Sequence, residues 1–170
     1  PGRRAVRRPG AARSTITVQM YFALPGAVAD TMAASPHSVG VAAPQIGVSI
    51  RAFSVDVTGH KKADSCHGPF VLFNPVLILA RHLELAREGC LSVPDMRGVV
   101  PRYTSVRLEC LDREGNPVSV VAKDFFARVI QHETDHLNGV VYVDRIADMR
   151  TLSHIAEWNR YWLGIREQAD

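Results

Sequence analysis

The sequence predicts an α+β fold, with mostly antiparallel β-sheets around a central metal-binding HExxH helix and a further helix at the C-terminus. Three observations carry that prediction. Ser105-Val106-Arg107-Leu108-Glu109-Cys110 alternates with period two, and Arg113-Glu114-Gly115-Asn116-Pro117 turns it into an apolar run at 118–122, the pattern of a hairpin. Asp124 stands as an N-cap before the unbroken Phe125-Phe126-Ala127-Arg128-Val129-Ile130, and Asn138-Gly139 supplies a left-handed stop, so a helix is framed between them. Near the end, Leu152, Ile155, Ala156, Trp162 and Leu163 mark one face of an amphipathic helix.

The remaining elements follow in chain order. Small residues at 26–34 read as a helix, and a loop carrying Gln45 comes next. Residues 49–57 form a strand and a polar loop follows. Residues 70–80 are extended despite Pro75, which a strand tolerates at an edge or a bulge. After the hairpin and the capped helix, residues 140–143 return as a strand. With 170 residues and 46% hydrophobic content the chain can bury one core, so residues 27–170 are read as a single domain preceded by a basic segment at 1–26.

Charge is unevenly spread. Residues 1–29 hold five Arg and no acid against a whole-chain charge of +3, which leaves −2 (+3 less 5) for residues 30–170. The body therefore has no basic stripe, and nucleic acid is not expected as its main ligand. The Arg-rich start reads as a basic tail, with an organellar transit segment as the alternative. No apolar run approaches bilayer-spanning length, so no membrane partner is expected and a cytoplasmic site is, an organellar matrix being second. Cys66, Cys90 and Cys110 form no Cys-x-x-Cys pair, which agrees with a reducing compartment. Cys110 reads as a small buried hydrophobe, and Cys66 beside His67 lacks further ligands nearby.

The chemistry concentrates in His132-Glu133-Thr134-Asp135-His136. On a helix the two imidazoles lie one turn apart on nearly one line, so both can grip one ion. Phe125, Val129, His132 and His136 continue one stripe towards the interior. Glu133 flanks that stripe and can take a proton from the attacking water without being a ligand. The third ligand decides the reaction class. A metzincin would carry a third His where this chain has Tyr142. A thermolysin-like protease would recruit a downstream Glu, for which Glu157 stands as the rival. Cys90, in the Gly-flanked bend of Glu88-Gly89-Cys90-Leu91-Ser92-Val93-Pro94, is the stronger candidate, because a thiolate binds zinc or ferrous iron well. Cys plus two His leaves one position open, which is a catalytic arrangement.

Three blocks now stand in order: Ser38-Val39-Gly40-Val41-Ala42-Ala43-Pro44-Gln45-Ile46-Gly47, then Glu88 to Pro94, then Gln131-His132-Glu133-Thr134-Asp135-His136-Leu137. In sequence and spacing they resemble the signature blocks of peptide deformylase, over about residues 27 to 146. The resemblance implies a metal-dependent hydrolase that removes the N-formyl group from the N-terminal formylmethionine of newly synthesised proteins and releases formate. It implies Cys90, His132 and His136 as ligands of one divalent ion, with Fe(2+) favoured and Zn(2+) or Ni(2+) as substitutes. It also implies Glu133 as general base and then acid, and the Gln45 amide and Leu91 N–H as oxyanion donors. The substrate, a formylmethionyl peptide or nascent chain met near the ribosome, would lie as an added strand along Val39, Gly40 and Val41. Val39, Val129 and the edge of His132 would line the methionine pocket.

Two departures bear on this. Ser38 stands where the family opens with Gly, which leaves the backbone there in question, and Val41 replaces a common Leu. Glu88 with Arg97 and Arg102 reads as a structural ion pair holding the Cys90 bend, the other reading being an Arg that reaches the substrate backbone. Two other functions remain open beside the deformylase: an HExxH metalloprotease using Glu157, and a non-catalytic metal-binding module on the same scaffold.

Overall fold

The computed structural model describes residues 30–32, 34–35, 38–63 and 68–163, with backbone alone for 161–163. Within it, five strands run in the order β1 (Gly40–Ala42), β2 (Ala52–Val55), β3 (Phe70–Cys90), β4 (Val93–Leu111) and β5 (Pro117–Lys123), each antiparallel to its neighbour. Helix α1 (Asp124–His136) follows β5 directly. A short β6 (Ser153–His154) pairs with Met96 and Arg97 of β4 and leads into α2 (Ile155–Glu157), which passes into a π-helical stretch Trp158–Leu163.

The long hairpin of β3 and β4 dominates the sheet. The expected strand at 70–80 runs on to Cys90, and the strand expected from Ser105 begins at Val93. Its two arms alternate imperfectly because their register slips between Phe73 and Val76, Leu77 and Leu79, and Glu88 and Cys90. The first slip holds Asn74, at φ 48°, and Pro75, whose ring lacks the N–H a regular ladder needs. β5 completes the predicted hairpin in register, Val106 facing Ala122 and Leu108 facing Val120.

α1 is buried on most sides rather than on one stripe. Phe126, Ala127, Val129 and Ile130 pack with Phe53, Val55, Leu72, Val106, Leu108 and Ala122 into one cluster. Each large apolar side chain buried there contributes roughly 1.5–3 kcal/mol. The stripe of Phe125, Val129, His132 and His136 borders this cluster, Val129 belonging to it and Phe125 packing on it, and its histidine end meets the hairpin tip at Cys90. Asp124 is the first helical residue, at φ 49°, and the preceding Lys123 makes no side-chain cap, so the expected Asp124 cap is absent. The stop is as read: Asn138 and Gly139 donate backbone bonds to Asp135 and His136, with Gly139 at φ 71°.

Residues 140–143 do not form the expected strand. Tyr142–Arg145 is a 3-10 turn, held by the Asp144 carboxylate accepting from the Val141 N–H at 2.9 Å. At the C-terminus, Leu152 precedes the helix instead of opening it, because Ser153–His154 is drawn into pairing with β4. The Trp162 and Leu163 side chains lie outside the described residues. Of the expected helix at 26–34, residues 30–32 and 34 are helical and the rest lies outside the described residues, as do the basic segment at 1–26 and Cys66.

Candidate metal centre

Three elements meet at the site. β3 ends on Cys90, and a two-residue turn, Leu91-Ser92, returns the chain into β4. Cys90 is therefore the last residue of a strand, not part of an open bend, and the turn holds its thiol in place. The Ser92 N–H points at its Sγ from 3.4 Å. The last turn of α1 brings His132 and His136, with ring centroids 4.9 Å apart. Cys90 Sγ lies 3.2 Å from His136 Nε2, and the ligand atoms of Cys90, His132 and His136 all fall within 4.8 Å of one another. Among the described residues this is the group that could hold a metal ion. Glu157 sits exposed on α2 and is not in it.

One sulfur and two imidazole nitrogens suit Fe(2+), Zn(2+) or Ni(2+), and three protein ligands leave a coordination place over. The surroundings favour a bound cation too. Burial pushes the Cys90 thiol up, but hydrogen bonds from His132 and His136 outweigh it and hold the thiol down at about 5. Burial likewise lowers His132, while Cys90, Glu88 and Glu133 raise it to about 10. Positive charge at the His132 ring is thus stabilised from several directions, which is the condition an ion would meet.

Glu88 orients His132. Its Oε2 faces His132 Nδ1 at 2.9 Å and accepts from Arg102 Nη2 at 3.0 Å, while Oε1 accepts from Arg102 Nε and Arg128 Nη1, both at 2.9 Å. Burial raises this carboxyl, but the His132 and Arg102 bonds bring it down to about 2. With Nδ1 engaged, the other ring nitrogen is left for the ion. Arg102 continues to Asp135, which Arg145 clamps at 2.7 and 3.1 Å. The expected ion pair is therefore Glu88 with Arg102. Arg97 stands apart: its guanidinium lies against Gly89, where a Cβ would overlap it, and it lines the cleft.

Glu133 is buried, and its Oε2 has no partner among the described residues. Burial raises its carboxyl to about 7, against the pull of His132 and His136. A Cβ added at Gly40 would come within 2.6 Å of Glu133 Oε1, so glycine there is what lets the strand pass the carboxylate. Gln45 sits in a 3-10 turn, Ala43–Ile46, closed by Gly47 at φ 77°. Its Oε1 accepts from the Ala42 N–H at 2.8 Å, which turns Nε2 towards Ser92 Oγ at 3.0 Å and Cys90 Sγ at 3.5 Å. The amide N–H groups thus face the ligand trio. Ser38 has no positive φ, and its hydroxyl donates to the Gly40 carbonyl at 3.1 Å, which answers the question raised by Ser in place of Gly.

A cleft of about 520 Å³ opens beside the trio, lined by Val39, Gly40, Gln45, Leu91, Val129 and Glu133 among others. Leu91 is exposed at the turn. Val41 does not line the cleft: its side chain is buried with Ala43, Ile50, Ala52 and Phe73, and only its backbone faces the strand edge. Among the described residues β1 pairs with β2 alone, which leaves its other edge unpaired there. Residues that the sequence did not single out for the site include Arg128, Asp135, Arg145 and Ser92. An Arg four positions before His132 on a core-facing helix, and an acid beside His136, were the available signals.

Comparison with known proteins bears on the family and the fold. The polypeptide deformylase family model matches residues 14–151. Peptide deformylase 1 of Nitrosomonas europaea is 47% identical over 128 residues, 74% of this chain and 72% of that protein. Peptide deformylase 2 of Vibrio cholerae is 41% identical over 121 residues, 71% of this chain and 69% of that one. The Thermotoga maritima peptide deformylase crystal structure superposes with a TM-score of 0.70 at 33% identity, over 79% of this chain and 86% of the other. A Met-Ala-Ser-bound class I type b enzyme from Acinetobacter baumannii does so at 0.69 and 36%, over 81% and 87%. With a family model spanning most of its length, and an antiparallel sheet shared with solved members, the chain belongs to the polypeptide deformylase family.

Proposed function

We propose that this chain hydrolyses the N-formyl group of the N-terminal formylmethionine of newly made proteins, with Cys90, His132 and His136 holding one divalent ion. The observation that carries the reading is the trio of ligand atoms beside a buried carboxylate whose Oε2 lacks a partner. When bound, such an ion supplies Lewis acidity and makes water a nucleophile near neutral pH. Family membership favours Fe(2+), with Zn(2+) or Ni(2+) as substitutes.

The rest falls to the chain's own groups. Glu133 takes the proton of the attacking water, and oxygen adds to the formyl carbon. The Gln45 amide and the Leu91 N–H donate to the oxyanion, an interaction that is strongest as charge develops. The C–N bond then breaks, Glu133 returns the proton to the departing nitrogen, and formate and a free amine result. A carboxyl raised to about 7 suits both halves of that exchange.

The peptide would join the edge of β1 that is unpaired among the described residues, along Val39, Gly40 and Val41 as an added strand, Val41 contributing backbone only. Val39, Val129 and the His132 edge would take the methionine side chain. That the Acinetobacter relative binds Met-Ala-Ser supports a substrate of this kind. The reading treats residues 27–170 as one catalytic domain, working in the cytoplasm, or in an organellar matrix, where ribosomes supply the substrate. Among the described residues no helix is long and apolar enough to cross a membrane.

The test is formate release from formyl-Met-Ala-Ser against its acetylated twin. Release from the first alone is expected, and equal or no turnover of both would end the proposal. Cys90→Ala should lose the metal and Glu157→Ala should not, which separates the protease reading. Glu133→Ala should keep the metal and lose turnover, which separates the non-catalytic one.

A further inference from the structure

The sheet of β3, β4 and β5 has two faces, and strand pairing sorts the residues between them. Val106, Leu108 and Ala122 turn inward and pack with α1. The residues that alternate with them share the outer face, where Leu79 stands beside Arg107 and Val121, Arg81 beside Ser105 and Lys123, Leu83 beside Tyr103, and Leu85 beside Pro101. Leu79, Leu83, Leu85, Tyr103 and Val121 are all exposed, Leu83 and Leu85 at 63% and 62%. An antiparallel sheet normally turns polar residues to its wet side, and a contiguous apolar patch there marks an interaction surface. The charges on this face are mostly of one sign: Arg81, Arg107 and Lys123 against Glu109, which lies at the end far from the hairpin tip, 3.9 Å from Arg107. Glu84 pairs opposite buried Arg102 and belongs to the inner side. Neither an apolar nor a basic run betrays this face in the sequence, because its members come from three strands and alternate with inward residues.

We propose that the outer face is a docking surface for an anionic phospholipid membrane, the leucines and Tyr103 entering the headgroup boundary while Arg81, Arg107 and Lys123 meet lipid phosphates. This concerns contact with a bilayer surface, not a span, and it stands apart from the formyl chemistry. Apolar insertion together with attraction to anionic lipid is what interfacial binding needs. Long Arg and Lys stems lie along apolar surface and carry their charge outward. Other occupants fit less well. A nucleic acid would satisfy the cations but leave Leu83 and Leu85 in water. A second copy of the chain would set like charges against each other. A partner helix sinks its side chains into a groove, whereas these leucines project. A lipid surface yields to whatever enters it. Contact through the outer face also turns α1 and its histidines away from the bilayer, because α1 packs on the opposite side of the sheet.

The experiment sediments the full chain with vesicles of phosphatidylcholine containing roughly a quarter phosphatidylglycerol, and with vesicles of phosphatidylcholine alone. The wild type should bind the mixed vesicles and leave the neutral ones. Leu83→Ser combined with Leu85→Ser, and separately Arg81→Glu combined with Lys123→Glu, should each lower the partition coefficient by about ten-fold or more while keeping the wild-type melting temperature. The charge pair carries the test if the serine pair does not fold. A wild type that ignores the mixed vesicles would overturn the proposal. So would binding that survives in both pairs, which would assign it to the Arg-rich residues 1–29. Binding lost in the charge pair yet kept in the serine pair would leave a purely electrostatic patch of the kind a nucleic acid takes, and would overturn it as well. A wild-type dimer in the analytical ultracentrifuge that the serine pair dissolves would give the face to a second copy instead.

Discussion

Glu88 carries four contacts on two oxygens, and both the fold and the ligand set depend on it at once. Replacing it by Ala would leave Arg102 and Arg128 buried with a missing counter-charge, which typically costs about 3–5 kcal/mol. It would also free His132 to turn, and losing such a partner lowers metal affinity by roughly 10–100-fold. Urea unfolding and metal titration of Glu88→Ala read the two effects separately, and a variant that kept both values would deny Glu88 this double part. The thiols offer a second measurement. Burial pushes Cys110 up to about 11, with Glu109 and Asp112 adding to it. The reactive form is the thiolate, so a raised value means that alkylation of Cys110 in the folded protein should be slow at pH 8 and climb as pH approaches 11. Peptide mapping after iodoacetamide should find Cys90 labelled before Cys110 in metal-free protein, and protected once metal is added.

At the scale of elements, β1 passes so close to α1 that only glycine fits where they touch. Gly40→Ala should push Glu133 off its position while leaving Cys90, His132 and His136 in place. A displacement of that order commonly costs about 100-fold in turnover. The expected result is a fall in kcat with metal content unchanged, measured by formate release and metal analysis; unchanged kcat would mean that the strand simply yields. α1 and the β4–β5 hairpin were legible in the sequence because local signals agree there: alternation, a turn rich in Gly and Asn, and a helix with a clear stop. The ligand trio was legible through the spacing of His132 and His136 and the lone Cys90. What escaped was set by tertiary pairing. The extension of β3 to Cys90 depends on pairing with the arm that begins at Val93, and on register slips that blur the alternation. Residues 140–143 read as a strand by composition, but Asp144 folds back on Val141 and closes a 3-10 turn. Val41 alternates into a small apolar cluster, which its position in the motif alone does not reveal.

For the molecule as a whole, the site joins distant parts of the chain. Cys90 and His136 are 46 positions apart, one at a hairpin tip and one at a helix end. An ion held by both would tie them together, and a ligand that binds only the folded state raises stability with its concentration, by about 2.7 kcal/mol at a hundred times its Kd. Stripping the metal with a strong chelator should therefore lower the melting temperature by several degrees, and restoring it should recover the loss; an unchanged melting curve would mean that the trio holds no ion in the native protein. The side of β1 left unpaired among the described residues has a different consequence. A run of three residues presents too few backbone groups to grip a long extended chain, and too few to seed the stacking of one molecule upon another. Were a peptide to join there, as proposed, the same brevity would let the cleaved chain slip away after each turnover, and it offers a second molecule little to stack upon.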